Sequence, residues 1–102
     1  MNDCLFCKIA AGQIPSTKVY EDEQALAFRD IAPQAPVHVL VIPKKHVSGW
    51  YDAKDEDDAQ LARLMRAAAT VAKMEGIVDS GFRVVSNCGA DAQQTVKHLH
   101  LH

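Results

Sequence analysis

The chain ends in three histidines that alternate with leucine, in the run VKHLHLH over residues 96–102. Near neutral pH, imidazole can act as a nucleophile, an acid or base, a contact for an anion or a metal ligand. Successive side chains of a β-strand point to opposite faces. His98, His100 and His102 would therefore share one face at spacings of about 6.5–7 Å, while the leucines cover a core. The run predicts a row of imidazoles that lines a site.

Two other interpretations of this terminal run stay open at this point. A histidine-rich remnant, such as part of a purification tag, would also cluster histidines, although tags do not usually alternate histidine with leucine. A structural zinc cluster is the stronger alternative, because a His-x-His spacing also suits metal coordination.

Two of the three cysteines, Cys4 and Cys7, are separated by only two residues. Three cysteines cannot all pair within one chain, and this spacing suits metal or redox chemistry better than a structural disulfide. A single Cys-x-x-Cys pair is weak evidence for any one function, because such pairs occur in zinc sites, in redox sites and in proteins where they have neither role. Two thiols packed near the start of a helix are the plain alternative, and Cys88 is expected to be a loop or packing thiol.

Length and composition restrict the class of protein. With 102 residues, 48% of them hydrophobic and 24% charged, the chain is expected to fold as one globular domain. A net charge of −2 provides no broad positive field for a nucleic-acid polymer. No apolar run approaches the roughly 20 residues that cross a bilayer, and the N-terminus lacks a signal-peptide pattern. The prediction is a cytoplasmic protein with no membrane partner.

Hydrophobic patterning predicts the elements that must position these residues. A short helix is predicted over residues 4–11, closed by Gly12. Apolar and β-branched runs between Pro- and Gly-containing loops predict strands over residues 18–21, 25–29, 38–42, 82–86 and 96–102. The links between strands are too short for helical crossovers. The predicted fold class is therefore α+β, with a mainly antiparallel sheet, one long helix and a short N-terminal helix.

The long helix is predicted over residues 55–75. An apolar stripe at steps of three and four residues should pack on the sheet and consists of Leu61, Leu64, Met65, Ala68 and Ala72. The acidic run 55–58 is expected to favour the positive end of the helix dipole, so it is interpreted as capping and not as a metal site.

The end of the chain resembles the signature of the histidine triad (HIT) family, in which histidine alternates with apolar residues after a Gln-Ser/Thr-Val lead. The matching run is QTVKHLHLH, residues 94–102, and further matching runs precede it in the expected order: AFRDI (27–31), PQAPVH (33–38), VIPKKH (41–46) and Asn87. The resemblance covers nearly the whole chain and is nearest to the Hint branch, the purine nucleoside phosphoramidases, in its bacterial zinc-containing form.

The resemblance implies a hydrolase or transferase that cleaves a bond at the α-phosphate of AMP derivatives such as phosphoramidates. By motif position, His100 would attack phosphorus and form a nucleotidyl-histidine that water then resolves. His102 and Thr95 would contact the non-bridging phosphate oxygens, and Gln94 would help to position the scissile group. Dinucleoside polyphosphate hydrolysis is the enzymatic alternative. A non-catalytic nucleotide-binding or zinc-stabilised interaction module is the alternative from another class.

The same resemblance implies a purine nucleotide, AMP-like, as the ligand and a homodimer as the assembly. Asp30 would accept hydrogen bonds from the ribose hydroxyls, since a carboxylate is an acceptor-only partner for a diol. Phe28 and Ile31 would pack on the base, and Asn87 would lie near the ribose and phosphate. A lone strand phenylalanine is more often a core residue, and His38 is expected to be a hydrogen-bonded supporting residue.

The resemblance also supplies two further candidate metal ligands, His46 and His98, beside Cys4 and Cys7. Tetrahedral zinc takes four ligands, and four protein ligands leave no open position for substrate. The implied cofactor is therefore a structural zinc that joins the N-terminal helix to the last strand.

Two departures from the family pattern concern the chain end and the loop before the triad. Relatives usually continue past the third histidine, so the chain is expected to be a single HIT domain truncated just after the triad. Gln93 stands where many Hint-type proteins have glycine, which is expected to shift the loop backbone.

Overall fold

The computed structural model describes residues 4–54 and 57–102. Its elements are, in chain order, α1 (Leu5–Ala10), β1 (Lys18–Glu21), β2 (Ala25–Arg29), β3 (Val39–Pro43), a 3₁₀ turn (Trp50–Asp52), α2 (Asp58–Met74) and a second 3₁₀ turn (Ala90–Ala92). The strands form an antiparallel sheet in the order β1-β2-β3. The predicted α+β class, with one long helix and a short N-terminal helix, is confirmed.

The three strands lie at or close to their predicted positions, and two of them are buried. β1 and β2 have the predicted bounds, and β3 begins and ends one residue later than predicted. Every residue of β3 is buried, and in β2 only Arg29 is exposed. Both strands are therefore covered on two faces.

Alternate residues of β2 and β3 face different helices. One face packs against α2 and includes Ala25, Ala27, Val39 and Val41 of the sheet with Leu64, Ala67 and Val71 of the helix. The opposite face packs against α1 and includes Leu26, Phe28, Leu40 and Ile42 with Phe6 and Ile9. The core thus has two layers, and the layer under α1 lies beside the histidines.

The short helix α1 begins at the first cysteine of the pair. Cys4 is its N-cap, and the Cys4 sulfur accepts a hydrogen bond from the backbone N–H of Cys7 at 3.4 Å. The helix buries Phe6 and Ile9, and the chain then turns at Gly12 with a φ of +78°, a conformation that glycine adopts without strain. The start of α1 therefore holds both cysteines close together.

The long helix α2 differs from its prediction in two respects. Leu64, Ala68 and Ala72 are buried as expected, but Met65 is 54% exposed, so its place in the apolar stripe was wrong. The predicted acidic cap falls partly on residues 55–56, outside the described residues. Asp57 makes no side-chain cap, because its carboxylate accepts hydrogen bonds from the Lys45 ammonium at 2.6 Å and the Lys54 N–H at 3.2 Å.

Two predicted strands, residues 82–86 and 96–102, are not regular strands. Within the described residues they pair at isolated points: Val85 exchanges both backbone hydrogen bonds with His102, and Leu101 exchanges both with Val41. The C-terminal segment is therefore tethered beside β3 without forming a continuous ladder. Among the described residues, no helix has the length and apolar character needed to cross a membrane.

Pro43 accounts for the interruption beside β3. Continuing the Val41–Leu101 register would place Leu99 opposite Pro43, which has no backbone N–H to donate. Leu99 instead donates its N–H to the Val47 carbonyl at 2.6 Å. The Pro43 carbonyl is left for a side chain, and it is used in the candidate site.

Candidate active site and metal centre

The terminal histidines lie on one side of their segment and the intervening leucines on the other. The leucines belong to the apolar cluster under α2. The rings of His98 and His100 meet the Phe6 ring edge-on, with centroids 5.9 and 5.0 Å away, and the His102 ring follows 5.0 Å beyond His100. The alternation predicted from the sequence is present, although a regular strand is not.

Cys4, Cys7, His46 and His98 form one compact cluster. The Cys4 and Cys7 sulfurs lie 3.2 and 3.5 Å from Nδ1 of His98, and the Cys7 sulfur lies 3.3 Å from Nδ1 of His46. All four ligand atoms lie within 4.8 Å of one another. Tetrahedral zinc with ordinary bond lengths separates a sulfur from a nitrogen by about 3.6 Å. The cluster has the donor set and size for zinc.

The protonation of His98 also fits a metal ligand. Its Nε2 lies 2.8 Å from the Pro43 carbonyl, which can only accept, so Nε2 carries the proton and Nδ1 presents a lone pair to the sulfurs. Burial lowers the pKa of His98, and this keeps the ring neutral. The cofactor prediction is confirmed to the extent that these four residues form a group that could hold zinc. With four protein ligands the site is closed and structural.

His100 is oriented by its own backbone neighbour. Its Nδ1 lies 2.7 Å from the carbonyl oxygen of His98, so Nδ1 donates and the neutral ring has an unprotonated Nε2. The residue is buried, and the Phe6 ring packs against it. The geometry therefore fixes a single tautomer with one nitrogen lone pair left for chemistry.

His102 belongs to a hydrogen-bonded chain that includes His38 and Asp30. Nδ1 of His38 accepts the N–H of Gln34 at 3.0 Å, so its Nε2 carries the proton. That N–H donates to Nδ1 of His102 at 2.9 Å and lies 3.4 Å from an Asp30 carboxylate oxygen. In the neutral His102 ring the proton must then be on Nε2, where it can be donated to an anion.

This second cluster of Asp30, His38 and His102 is compact enough to hold a metal. The position of the proton on the His38 ring, however, is unfavourable for metal binding. A metal at Nε2 of His38 would move the ring proton to Nδ1, opposite the Gln34 N–H that Nδ1 now accepts. Two donors would then face each other. The arrangement favours a hydrogen-bonded relay.

The neutral histidines predict how stability depends on pH. Burial first, and then the nearby His100 and His38, lower the pKa of His102 below 6.5, and burial does the same for His98. The unfolded chain therefore binds more protons below pH 6.5 than the folded protein does. The stabilisation is complete above that pH and is lost as the pH falls through the folded values.

We expect the free energy of unfolding, measured by urea titration, to fall from pH 7.5 to pH 5.5. His102→Asn should make that decline shallower, because Asn does not titrate. Equal declines in the two proteins would contradict this assignment of His102.

Gln94 and Thr95 are placed differently from each other. The Gln94 side chain accepts the N–H of Gly89 at 2.8 Å and donates to the Ser48 carbonyl at 2.7 Å, so it fastens the loop before the triad. Thr95 is exposed and lines a recess of about 550 Å³ together with Cys4 and His46. Gln94 has both ends of its amide engaged within the protein.

Asn87 shares a cavity with the histidine relay. The cavity has a volume of about 710 Å³ and is lined by His38, His102, Asn87 and apolar side chains that include Val39 and Val85. The Asn87 amide nitrogen donates to the Ala92 carbonyl at 2.8 Å, which leaves its oxygen as an acceptor. A cavity of this size suits a small organic ligand.

Asp30 lies beside His38 at one end of the hydrogen-bonded chain, and one of its carboxylate oxygens accepts the Ala32 N–H at 2.8 Å. The two apolar candidates differ from it and from each other. Phe28 is buried in the core layer under α1, with its ring centroid 5.7 Å from that of Phe6, whereas Ile31 is fully exposed. The structure therefore brings Asp30 together with His102, but not Phe28 with Ile31.

Sequence reasoning missed the partner of His38 and the position of Phe6 in the site. His38 was expected to be a hydrogen-bonded supporting residue, and its ring does form a hydrogen bond, but the partner is His102, 64 residues away, which the sequence did not indicate. Phe6 contacts His98 and His100 from between the two cysteines. The spacing of Phe6 within the CLFC motif was the signal that could have found it.

Comparison with known proteins gives the family. The HIT domain model matches residues 11–102. The chain is 49% identical to the 14 kDa zinc-binding protein of Brassica juncea, covering 98% of this chain and 89% of that one.

Solved structures agree with this result. The fold matches a HIT family hydrolase from Legionella pneumophila with a TM-score of 0.95 at 50% identity, covering 98% of this chain and 89% of that one. It also matches a histidine triad nucleotide-binding protein from Candida albicans with a TM-score of 0.89 at 34% identity, covering 98% and 72%. The chain therefore belongs to the histidine triad family, defined by the HIT domain.

Proposed function

We propose that this protein is a nucleotide hydrolase of the Hint-like branch, which cleaves phosphoramidates of AMP through a nucleotidyl-histidine intermediate. The similarity to a HIT family hydrolase and to a nucleotide-binding relative supports the broader part of the proposal. The observation that carries the finer part is the hydrogen bond from Nδ1 of His100 to the His98 carbonyl. It leaves Nε2 as an unprotonated, buried nucleophile.

In the proposed reaction, Nε2 of His100 attacks the α-phosphorus, the phosphorus–nitrogen bond to the leaving amine breaks, and that amine takes up a proton. Water then attacks the nucleotidyl-histidine and releases AMP. A fixed tautomer favours the first step, because the lone pair is already on the attacking nitrogen and the backbone carbonyl stabilises the charge that develops on the ring.

His102 is proposed to stabilise the negative charge on the phosphate. Its neutral ring carries the Nε2 proton because His38 donates to Nδ1, so an N–H can be aimed at a non-bridging oxygen. Thr95 is proposed to make a second contact with the phosphate oxygens, through its hydroxyl or its backbone. Gln94 is proposed to act by holding the loop that carries Thr95.

The nucleoside is proposed to bind beside the relay. The second carboxylate oxygen of Asp30 and the amide oxygen of Asn87 are acceptors that suit ribose hydroxyls. The exposed Ile31 is proposed to contact a purine base, and the buried Phe28 is proposed to support that contact from the core layer under α1. Zinc, held by Cys4, Cys7, His46 and His98, would supply a structural clip between α1 and the triad.

The decisive test of this function is to trap the intermediate. The protein is mixed with an aminoacyl or tryptamine amide of AMP, quenched with acid within one turnover, digested and analysed by mass spectrometry. We expect one AMP group on His100. AMP release with no adduct on any histidine would overturn the covalent route, and nucleotide binding without AMP release would favour a non-catalytic nucleotide-binding module.

His38 is expected to act as a positioning residue. His38→Leu should lower kcat about ten- to a hundredfold with a smaller change in KM, because His102 loses the donor that fixes its tautomer. His38→Gln, whose amide can still donate, should recover part of the rate. The pH profile of kcat is the discriminating measurement, and an unchanged profile in His38→Leu would contradict a role through His102.

We also propose a cytoplasmic homodimer. Phe82 and Val84 are exposed apolar side chains on the segment that pairs with His102 through Val85, and a second copy could cover them. Light scattering of the purified protein tests the assembly. The zinc-type cysteine pair fits a reducing compartment.

A further inference from the structure

We propose that the pair Cys4 and Cys7 is a peroxide-sensitive switch, in which oxidation to a disulfide releases zinc and loosens the packing around His100. The proposal rests on the zinc site and not on the reaction catalysed. Three observations carry it: the placement of the two sulfurs, their access to solvent, and the contact that joins them to the triad.

The two sulfurs are already gathered at one point. Both lie within 3.5 Å of the same nitrogen, Nδ1 of His98, and both are at the start of α1. A Cys-x-x-Cys pair at a helix start is the arrangement in which thiols and disulfides interconvert readily, since the sulfurs can join across a single turn. Cys88 is not part of this group; its sulfur lies 3.8 Å from the Ser86 hydroxyl.

The two cysteines are only partly shielded from solvent. Cys4 and Cys7 are only partly buried, and Cys4 and His46 line the recess of about 550 Å³. Among the four ligands only His98 is buried, and His46 is exposed. A small neutral oxidant such as hydrogen peroxide can therefore approach the thiolates without unfolding the protein.

The proposed step balances with peroxide as the oxidant. The two zinc-bound thiolates lose two electrons and form one sulfur–sulfur bond, while hydrogen peroxide takes the two electrons and two protons from solvent and becomes two water molecules. The zinc ion loses two of its four ligands and is released. A dithiol reductant and added zinc reverse the step.

The effect would reach the triad through Phe6. This residue lies between the two cysteines, and its ring contacts both His98 and His100. Closing a disulfide over residues 4–7 changes the turn that carries the ring and removes the metal bond that holds His98. Since the carbonyl of His98 orients His100, both supports of the proposed nucleophile are affected.

The test uses zinc-loaded protein with the Cys88→Ser substitution, so that the only thiols are those of the pair. It is treated with hydrogen peroxide while zinc release is followed with a colorimetric chelator. Thiol alkylation and peptide mass spectrometry locate the disulfide, and the melting temperature is recorded. We expect one zinc released per chain, an intramolecular Cys4–Cys7 disulfide, a fall of roughly 10 °C or more, and recovery with dithiothreitol and zinc.

Retention of zinc after peroxide treatment, or a disulfide only between chains, would overturn the switch. Purified protein without zinc would overturn it at its first step. None of these readouts involves nucleotide turnover, so failure of the proposed hydrolase would leave the switch standing. Failure of the switch would equally leave the hydrolase standing. A companion Cys7→Ser, Cys88→Ser protein should form no intramolecular disulfide under the same treatment.

Discussion

The His100→Asn protein is expected to release AMP from an AMP amide at least about a thousandfold more slowly than the wild type. Nδ1 of His100 donates to the His98 carbonyl, and the amide of Asn can make the same bond. The substitution therefore keeps the local hydrogen bond while it removes the only ring nitrogen that could attack phosphorus. The measurement is single-turnover AMP release under saturating enzyme, which separates chemistry from product release.

The control for this prediction must report on folding and on the metal. Four of the five histidines lie in the two clusters, and His100 is the residue under test, so the control substitution is Arg66→Asn on the exposed side of α2. It should leave the rate within about twofold. His100→Asn should keep its zinc, because His100 is not among the four clustered ligands. A mutant that retains zinc and still turns over at the wild-type rate would exclude His100 as the nucleophile.

Hydrophobic periodicity, together with the Pro- and Gly-containing loops, was sufficient to locate three of the elements. β1 and β2 have the predicted bounds, and α2 lies within its predicted range. The errors came from tertiary context. Pro43 cannot donate to Leu99, so the C-terminal segment leaves the sheet register and pairs with the Val47 carbonyl instead. A strand pattern specifies alternation of faces but not which neighbour will accept each backbone bond.

Residue type and local spacing, together with the family resemblance, were enough to predict which four residues form the metal cluster. They were not enough to predict the hydrogen-bonded chain of Asp30, His38 and His102. His38 donates to His102 only because β3 and the C-terminal segment are neighbours in space, and no local pattern encodes a contact between residues so far apart. Ile31 is a second example. The family resemblance predicts that it packs on a bound base, and its complete exposure, which leaves it available for such a contact, is set by the loop that carries it.

The second large effect is expected from the zinc site. His46→Asn should lose the metal and lower the free energy of unfolding by about 3 kcal/mol or more, which for a domain of this size corresponds to a fall in melting temperature of at least roughly 12 °C. Metal binding by a structural site is folding free energy, and a domain with a core of this size has a total stability of only about 5–15 kcal/mol. Zinc content by elemental analysis and thermal unfolding are the two measurements.

Substitution of His46 best separates the effect of losing the metal from the effect of losing packing, because its side chain is exposed. The neighbouring Lys44→Asn is the matched control. Lys44 makes a 2.7 Å surface ion pair with Glu21, and a pair of that kind contributes only about 0–1 kcal/mol. A chelator should bring the wild-type melting temperature down to that of His46→Asn and leave the variant unchanged. If the chelator lowers both proteins equally, His46 does not hold the metal. If it lowers neither and His46→Asn melts with the wild type, the clip between α1 and the triad depends on the packing of Phe6 and not on zinc.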